Sequence, residues 1–249
     1  MDAWTPWLMT GAAVVLLAAI ATFSLAAMRV PGKWAVVAAL ARAALQLAAL
    51  SLVLAGIITA PFWVAVGLGV MFLAAVWTAA RRSGTRLRGA RPLFLAMLTG
   101  PIVVMTVAFA TGAIEFAPRY ALALGGIIIG NTMTITILTQ RVYRTSIRDH
   151  WDQVEGWLAL GATPWESTRE LARGAVQTAL LPSLDQTRTT GLVVLPGAFV
   201  GAIFAGASPF DAGRFQIVVL AGALASGALS AVILLRLTGR VARQPLEAR

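Results

Sequence analysis

The sequence contains no cysteine and only one histidine, His150. Disulfide frameworks, iron–sulfur clusters, thiolate nucleophiles and Cys/His zinc sites therefore lack the residues that they need. Charged residues make up 12% of the chain, and lysine occurs once, as Lys33 in a predicted loop. No stretch reads Gly-x-x-x-x-Gly-Lys-Ser/Thr, so the chain has no P-loop for a nucleotide. Any step driven by ATP would need a second protein.

Apolar residues are abundant instead. They make up 59% of the sequence, against roughly half in soluble domains, and the mean hydropathy is +0.81. A membrane-spanning helix needs about 20 mostly apolar residues. Seven runs approach or exceed that length, at approximately 7–27, 34–58, 62–80, 93–112, 120–140, 190–207 and 215–238. We therefore predict an all-α, multi-pass protein of the cell (plasma or inner) membrane, with residues 1–249 forming a single transmembrane domain.

Basic residues indicate the orientation, because short cytoplasmic loops are enriched in lysine and arginine. Of the 20 basic residues, 17 follow spans one, three, five or seven. The opposite loops are short and are bordered only by Arg119 and Arg214. The N-terminus is therefore predicted outside and the C-terminus in the cytoplasm. The net charge of +10 is thus a topology signal, and no nucleic-acid partner is expected.

One cytoplasmic loop, residues 141–189, is long enough to carry structure of its own. Apolar residues from Arg141 to Leu160 recur at nearly helical spacing between charged ones. This pattern predicts that span five continues into the cytosol as one long helix that ends at Gly161.

A second helix is predicted to begin at Thr163 in the same loop. Threonine would be the N-cap, Pro164 would occupy the first helical position, and Glu166 lies three residues after the cap. The pattern predicts a helix that runs to about Leu181, where Pro182 interrupts it. The result is a short cytoplasmic helix between spans five and six.

The segment from Glu155 to Thr163, followed by Leu180-Leu181-Pro182, resembles the loop by which ABC-transporter permeases engage their ATPase. A wider set of motifs is similar to the FetB-type permeases, a family that includes a bacterial iron-export permease and plant aluminium-tolerance transporter subunits. The motifs are Arg42 with Leu45-Gln46-Leu47, Gly130-Asn131, Leu160-Gly161-Ala162-Thr163, Leu181-Pro182 with Asp185, Gly191-Leu192-Val193 with Leu195-Pro196-Gly197, Ile203-Phe204-Ala205-Gly206 with Pro209, and Gln216. The resemblance covers the chain from about Arg42 to Val219.

The resemblance implies a seven-span permease that works as a homodimer with a separately encoded ABC ATPase. ATP and Mg²⁺ would bind to that partner, and no cofactor is expected in this chain. The implied activity is export of a metal ion, iron in the bacterial case, or of a metal-linked solute. The residues expected to couple to the ATPase are Glu155, Leu160, Gly161, Ala162, Thr163, Pro164, Trp165 and Glu166. Trp165 is the expected apolar anchor, because buried aromatic side chains often dominate binding energy.

Polar residues within the spans predict a substrate path. Arg42 lies about 12 Å from the cytoplasmic end of span two, and Gln46 is one turn further in. Arg42 either snorkels to the headgroups or forms an ion pair with Asp185 near the same membrane face. Asn131 lies in the middle of span five and either lines the path or bonds to a neighbouring helix.

Glycine and proline mark further positions. Pro196 and Gly197 are predicted to break span six near its middle, and broken helices usually line a cavity. The pairs Gly126/Gly130 and Gly197/Gly201 permit close helix approach, either within one subunit or at a dimer seam. The predicted membrane interior offers no carboxylate, cysteine or histidine, so the residues that would contact a metal remain unknown.

A gradient-driven secondary transporter or channel is the alternative function. The sequence lacks the intramembrane carboxylate relay and the inverted repeat that are typical of many such proteins. A retinal-type receptor needs a lysine within a span, and Lys33 lies in a loop. Intramembrane proteolysis is excluded because no His-Glu-x-x-His motif or embedded carboxylate pair is present.

Overall fold

The computed structural model describes residues 5–57, 61–84 and 90–239. These ranges are helical and contain no named β-strand, so the all-α prediction is confirmed. The helices are α1 (Thr5–Ala27), α2 (Ala35–Ile57), α3 (Pro61–Arg82), α4 (Ala90–Ala110), α5 (Pro118–Asp149), α6 (Trp151–Ala159), α7 (Arg169–Thr189), α8 (Gly197–Phe204) and α9 (Pro209–Thr238). Several arginines used to predict the orientation lie outside the described residues, namely Arg86, Arg88, Arg240, Arg243 and Arg249.

The chain forms two compact units, Met1–Ile58 and Thr59–Arg249. The first unit contains α1 and α2, which contact each other. A turn joins them, with Arg29 at φ 53° and Gly32 at φ 81°. Ala18 is the buried residue among the described side chains of this unit. The remaining surface is largely apolar and exposed, as expected of helices that face lipid.

The second unit is built around α4, α5 and α9, with α3 and α7 packed against α5. Close helix approach occurs where glycines face a neighbouring helix. A Cβ atom on Gly100 would lie 2.7 Å from the Ser226 carbonyl oxygen of α9, and one on Gly227 would overlap a methyl group of Ile135. Small residues therefore set the spacing of this core, as is common in membrane proteins.

The glycine pairs singled out in the sequence are not where the helices come closest. A Cβ atom on Gly126 would lie 3.2 Å from the Met71 methyl group, while Gly130, Gly197 and Gly201 face open space. Within the described residues, no atom of a neighbouring helix therefore lies within 4 Å of the position that a Gly130 Cβ atom would take. A dimer seam at Gly130 stays a prediction.

Five helices are long and apolar enough to cross a membrane: α1, α3, α4, α5 and α9. They coincide with predicted spans one, three, four, five and seven. Helix α2 has 23 residues and coincides with span two, although Ile58 at the predicted end lies outside the described residues. In α9, the rise from Arg214 to Arg236 is about 33 Å at 1.5 Å per residue, close to the hydrocarbon thickness of about 30 Å. The protein is a multi-pass membrane protein.

The predicted sixth span, residues 190–207, is wrong as a continuous helix. Only Gly197–Phe204 is helical within it, and eight residues rise about 12 Å. The preceding residues form a tight turn in which the N–H groups of Leu192, Val193 and Val194 all donate to the Thr189 carbonyl oxygen. Hydropathy measures composition, so it does not distinguish this apolar turn from a spanning helix.

The return from the cytoplasmic end of α5 is instead made in two pieces. Helix α7 runs beside α5 as far as the level of Asn131, and α8 borders a cavity with the N-terminal ends of α5 and α9. Helix α7 also continues through Pro182, contrary to the predicted end near Leu181. Proline removes one backbone bond but is tolerated in membrane helices whose neighbours hold them. Here Ala175 and Ala179 of α7 are buried in the core.

Helix α5 continues beyond its membrane segment as predicted, but it ends at Asp149. His150 takes a non-helical conformation, with φ −120° and ψ 32°, and α6 begins after it. The predicted single helix is therefore two helices, and the second ends at Ala159, close to the predicted end at Gly161.

Candidate functional site

The connection between α6 and α7, residues 160–168, is called the coupling turn below. Gly161 at its start has φ +89°, a conformation in which a side chain would be strained. The N–H groups of Leu160, Gly161 and Ala162 donate to carbonyl groups of α6 at 3.0 to 3.1 Å. The turn thus satisfies the last carbonyl groups of α6 and reverses the chain sharply.

Thr163 and Glu166 form the predicted capping box. The Glu166 N–H donates to the Thr163 Oγ1 atom at 3.3 Å. In return, the Thr163 N–H and hydroxyl donate to one Glu166 carboxylate oxygen at 2.8 and 2.6 Å. These hydrogen bonds from the Thr163 side chain and backbone lower the pKa of Glu166 below its ordinary value. The new helix starts as a 3₁₀ turn, Glu166–Thr168, and becomes regular at Arg169.

Apolar side chains are exposed on one side of the coupling turn. Leu160 is 83% exposed and Trp157, one turn earlier on α6, is 59% exposed. Glu155 is also exposed, while Ala162 and Pro164 are half-buried. Trp157, Leu160 and Glu166 border a groove of about 650 Å³ between α6 and the start of α7. This arrangement, an apolar ridge beside a polar groove that Glu166, Glu170 and Arg169 border, can receive a complementary protein surface.

Trp165 points toward its own chain. It is half-buried, packs with the cluster around Tyr143 and Ile147, and lies under the Arg236 guanidinium at 5.4 Å from the ring centroid. The ring also closely approaches Gly239. The structure thus gives Trp165 contacts within this chain, and its role as an anchor for a partner stays a prediction.

A buried hydrogen-bond cluster holds the coupling turn to α5 and α9. The Tyr143 hydroxyl lies 2.9 Å from the Thr168 Oγ1 atom and 3.2 Å from the Gly239 carbonyl oxygen. Thr168 Oγ1 also lies 3.0 Å from the Pro164 carbonyl oxygen. No local sequence pattern indicates this cluster, because 25 positions separate Tyr143 from Thr168 and 96 separate it from Gly239. A movement of the coupling turn would therefore change its hydrogen bonds to Tyr143 of α5 and to Gly239 at the end of α9.

Asn131 connects three helices in the middle of α5. Its amide nitrogen donates to the Ala223 carbonyl oxygen of α9 at 2.8 Å, and its amide oxygen accepts from the Ser183 hydroxyl of α7 at 3.3 Å. The bond to a neighbouring helix, one of the two predicted roles, is therefore present. Ser183 lies about four helical turns along α7 from the end of the coupling turn at Thr168, so α7 links the two regions directly.

Three of the other predicted path residues, Arg42, Gln46 and Asp185, are exposed. Arg42 and Gln46 are exposed on α2 in the first unit. Asp185 is exposed on α7 and lies 3.4 Å from the Arg188 guanidinium. Asp185 therefore already has a cationic neighbour one turn away, and its pairing with Arg42 stays a prediction.

Pro196 is the extended N-cap of α8 and Gly197 its first residue. Residues 190–196 are not helical, so the expected break in the middle of a spanning helix is instead the start of a short helix. Helix α8, the loop before α5 and the start of α9 border a cavity of about 710 Å³. Arg119 and Arg214 border it, so it lies at the membrane face opposite the coupling turn. Within residues 5–57, 61–84 and 90–239, no group of three or more histidine, cysteine, aspartate or glutamate residues could hold a metal ion.

Comparison with known proteins gives the family. A model described as uncharacterised protein family UPF0014 matches residues 8–242. The UPF0014 membrane protein STAR2 of Oryza sativa subsp. japonica is 36% identical over 197 residues, which are 78% of this chain and 69% of that protein. The protein ALUMINUM SENSITIVE 3 of Arabidopsis thaliana is 34% identical over 209 residues, 83% of this chain and 76% of that protein.

A bacterial relative carries a functional name. The probable iron export permease protein FetB of Escherichia coli (strain K12) is 34% identical over 166 residues, which are 67% of this chain and 64% of that protein. No solved structure matches. The expected resemblance to bacterial and plant members of one permease family is confirmed. The chain belongs to the UPF0014 family and is a multi-pass membrane protein.

Proposed function

We propose that this chain is the membrane-spanning subunit of an ABC transporter and that a separate ATPase subunit docks on its coupling turn. The observation that carries the proposal is the exposed pair Trp157 and Leu160 beside the Glu166 groove. Large apolar side chains that project from a cytoplasmic loop are costly in water unless a partner covers them. ATP and Mg²⁺ would bind to the ATPase, not to this chain.

The contacts around the turn suggest how docking would be transmitted. The capping box keeps the turn rigid at its start, and the Tyr143 cluster joins it to α5 and α9. Helix α7 extends from the turn to Ser183, whose hydroxyl bonds to Asn131. A displacement of the turn would therefore shift α7 against Asn131, where amide and hydroxyl groups meet in the membrane interior.

For the substrate we propose iron or a metal-linked solute that moves outward. Support comes from the name of the bacterial relative, a probable iron export permease. The polar groups at the level of Asn131 and Ser183 are an amide and a hydroxyl. Such groups hydrogen-bond to the ligands of a complexed metal, which a path without charged side chains can admit more easily than a bare ion.

We further propose that two copies of the chain pair through the α5 face that contains Gly130. The position above Gly130 is open, and Thr134, one turn away, is exposed. Because the protein has no cysteine, Thr134→Cys would introduce a unique thiol. Oxidative crosslinking of this variant in membranes is expected, whereas Val70→Cys on the exposed side of α3 should stay monomeric. Crosslinking of both variants to the same extent would contradict this seam.

The central experiment is co-expression with an ABC ATPase subunit of the same organism. Trp157→Ser and Leu160→Asp should each release the ATPase during purification and abolish the stimulation of its activity by the permease. Trp34→Ser is the matched control, since Trp34 is 68% exposed in the loop between α1 and α2. Thermal unfolding of each purified variant would show that it is folded.

A transport measurement in vesicles separates the two candidate functions, the ABC permease and the gradient-driven transporter. An ABC permease should load substrate into inside-out vesicles only when ATP and the ATPase are present, and an ionophore should not stop it. Transport that persists without ATP and collapses with an ionophore would instead support the gradient-driven alternative. Retention of the ATPase by both docking variants would contradict the proposed docking surface.

A further inference from the structure

Three arginines surround a second cavity on the same side of the protein as the coupling turn. It has a volume of about 380 Å³ and lies between α7 and α9. Arg169 and Arg173 come from the start of α7, and Arg236 comes from the last turn of α9. No carboxylate borders this cavity in the part of the chain that the structure describes. The cavity therefore favours an anion.

The guanidinium groups are held by different neighbours. Arg236 stacks over the Trp165 ring at 5.4 Å from its centroid, which uses the face of the guanidinium and leaves its edge N–H groups available. Arg173 also pairs with Glu170 at 2.5 Å, on the exposed side of α7. Arg169 and Arg236 are therefore the stronger candidates for contact with a phosphate.

The depth of the cavity matches a membrane interface. Arg214 and Arg236 are separated by about 33 Å along α9, the thickness of the hydrocarbon core, and no charged residue lies between them in the sequence. Arg236 consequently lies at one headgroup layer. That layer is the cytoplasmic one, because the arginine-rich loops lie on this side.

The residues that border the cavity change from basic to mainly apolar toward the middle of the membrane. Beyond the arginines, Val176, Leu235 and Val232 border it, with Gln177 as a polar side chain among these deeper lining residues, and Val232 is 47% exposed. Basic groups at the interface with apolar groups below them match a molecule that has an anionic head and hydrocarbon chains. A soluble anion would gain nothing from the apolar part.

We propose that the cavity between α7 and α9 binds the headgroup of an anionic phospholipid of the cytoplasmic leaflet. The phosphate lies between Arg169 and Arg236, and an acyl chain follows Val176 and Val232. Because Trp165 and Arg169 belong to the coupling turn or follow it directly, a bound lipid holds the turn against α9. The inference concerns the permease alone and does not depend on the proposed ATPase.

The test uses the purified full-length permease in an uncharged detergent. Dioleoyl phosphatidylglycerol is titrated, and the apparent dissociation constant is obtained from the rise in the thermal unfolding midpoint. Native mass spectrometry counts the lipids retained per chain. The probes for comparison are dioleoyl phosphatidylcholine, which lacks net charge, and glycerol phosphate, which has the headgroup charge without the chains.

Arg169→Gln and Arg236→Gln should each weaken phosphatidylglycerol binding about five-fold, the contribution of one interfacial basic residue. Arg169 is exposed and carries no salt bridge in the described chain, so Arg169→Gln is expected to fold even if loss of the Trp165 stack destabilises Arg236→Gln. Arg141→Gln is the matched control, because Arg141 is exposed on α5 and does not border the cavity.

Three results would each overturn the proposal. Equal binding of phosphatidylcholine would mean that the site does not select the anionic headgroup. Equal stabilisation by glycerol phosphate would mean that the site serves a soluble phosphate compound. An equal loss of affinity in Arg141→Gln would mean that phosphatidylglycerol responds to the overall positive charge of the surface and not to this cavity.

Discussion

Tyr143→Phe removes one oxygen atom from the cluster that holds the coupling turn. The Tyr143 hydroxyl lies 2.9 Å from Thr168 Oγ1 and 3.2 Å from the Gly239 carbonyl oxygen. A neutral hydrogen bond contributes about 1 kcal/mol net. The Pro164 carbonyl oxygen also accepts from the Ser167 hydroxyl at 3.1 Å, so Thr168 can donate its single proton to Gly239 in the variant; the cost is the lost Tyr143 hydrogen bond and the small void that its oxygen leaves. We therefore expect the free energy of unfolding to fall by about 1 to 2 kcal/mol.

The assay is equilibrium unfolding of the purified permease in mixed micelles, followed by measurement of ATPase stimulation. Tyr120→Phe is the matched control, because the chain has two tyrosines and the described contacts of Tyr120 involve its ring. A loss of 1 to 2 kcal/mol in the docked conformation of the turn corresponds to a decrease of about 5- to 30-fold in the ratio of docked to undocked turn. Stimulation should fall accordingly in Tyr143→Phe and not in Tyr120→Phe.

The reasoning would be refuted if the two variants unfolded within about 0.5 kcal/mol of each other, the usual range of neutral surface changes. Loss of stability without any loss of stimulation would mean that the cluster only supports folding. The proposed transmission from the turn to α5 and α9 would then be wrong.

Further predictions concern the cap and the helix spacing. Thr163→Ala should lower the free energy of unfolding by about 1 kcal/mol, as measured by the same unfolding assay. Because the pKa of Glu166 is lowered in the fold, its contribution to the free energy of unfolding is complete above the ordinary glutamate pKa and disappears as pH falls through the lower folded value. Glu166→Gln should abolish this part of the pH dependence of unfolding. Gly100→Ala, which would meet the α9 backbone at 2.7 Å, should destabilise by about 1 to 3 kcal/mol. Gly174→Ala, with nothing within 4 Å of the added Cβ atom, should unfold no more easily than the parent chain.

The local features of the site could be predicted from the sequence because neighbouring residues determine them. Thr163 and Glu166 are three positions apart, and their hydrogen bonds depend on little else. The glycine at position 161 and the extended residue Pro196 before α8 are likewise properties of a few residues. Hydropathy also located the long helices, because length and apolar composition are what a bilayer requires.

Features that depend on distant residues could not be predicted in this way. The apolar run around Leu192 has the composition of a span, but its backbone folds onto Thr189. A glycine motif indicates that two helices can approach closely, but it does not indicate which neighbouring helix is approached. The motif at Gly126 and Gly130 therefore predicted a close contact at Gly130, whereas Gly227 lies outside that motif. The contact of Trp165 with Arg236 joins positions 71 apart, and no local pattern indicates that α9 ends there.

The division of the sixth crossing between α7 and α8 has a mechanical consequence. A continuous helix across the bilayer tilts as a rigid body, so a displacement of its cytoplasmic end moves its outer end in the opposite direction. Both ends of a substrate path could then open at the same time. Here the inner piece is held by α5 and α9, while the outer piece packs on α9 and joins α7 through the tight turn after Thr189. A displacement of the coupling turn can therefore move α7 while α8 keeps its contacts with α9. In the proposed transporter, such a two-part crossing would let the cytoplasmic and outer ends of the substrate path open one after the other. The ion gradients of the cell would then not leak through a path that is open at both ends.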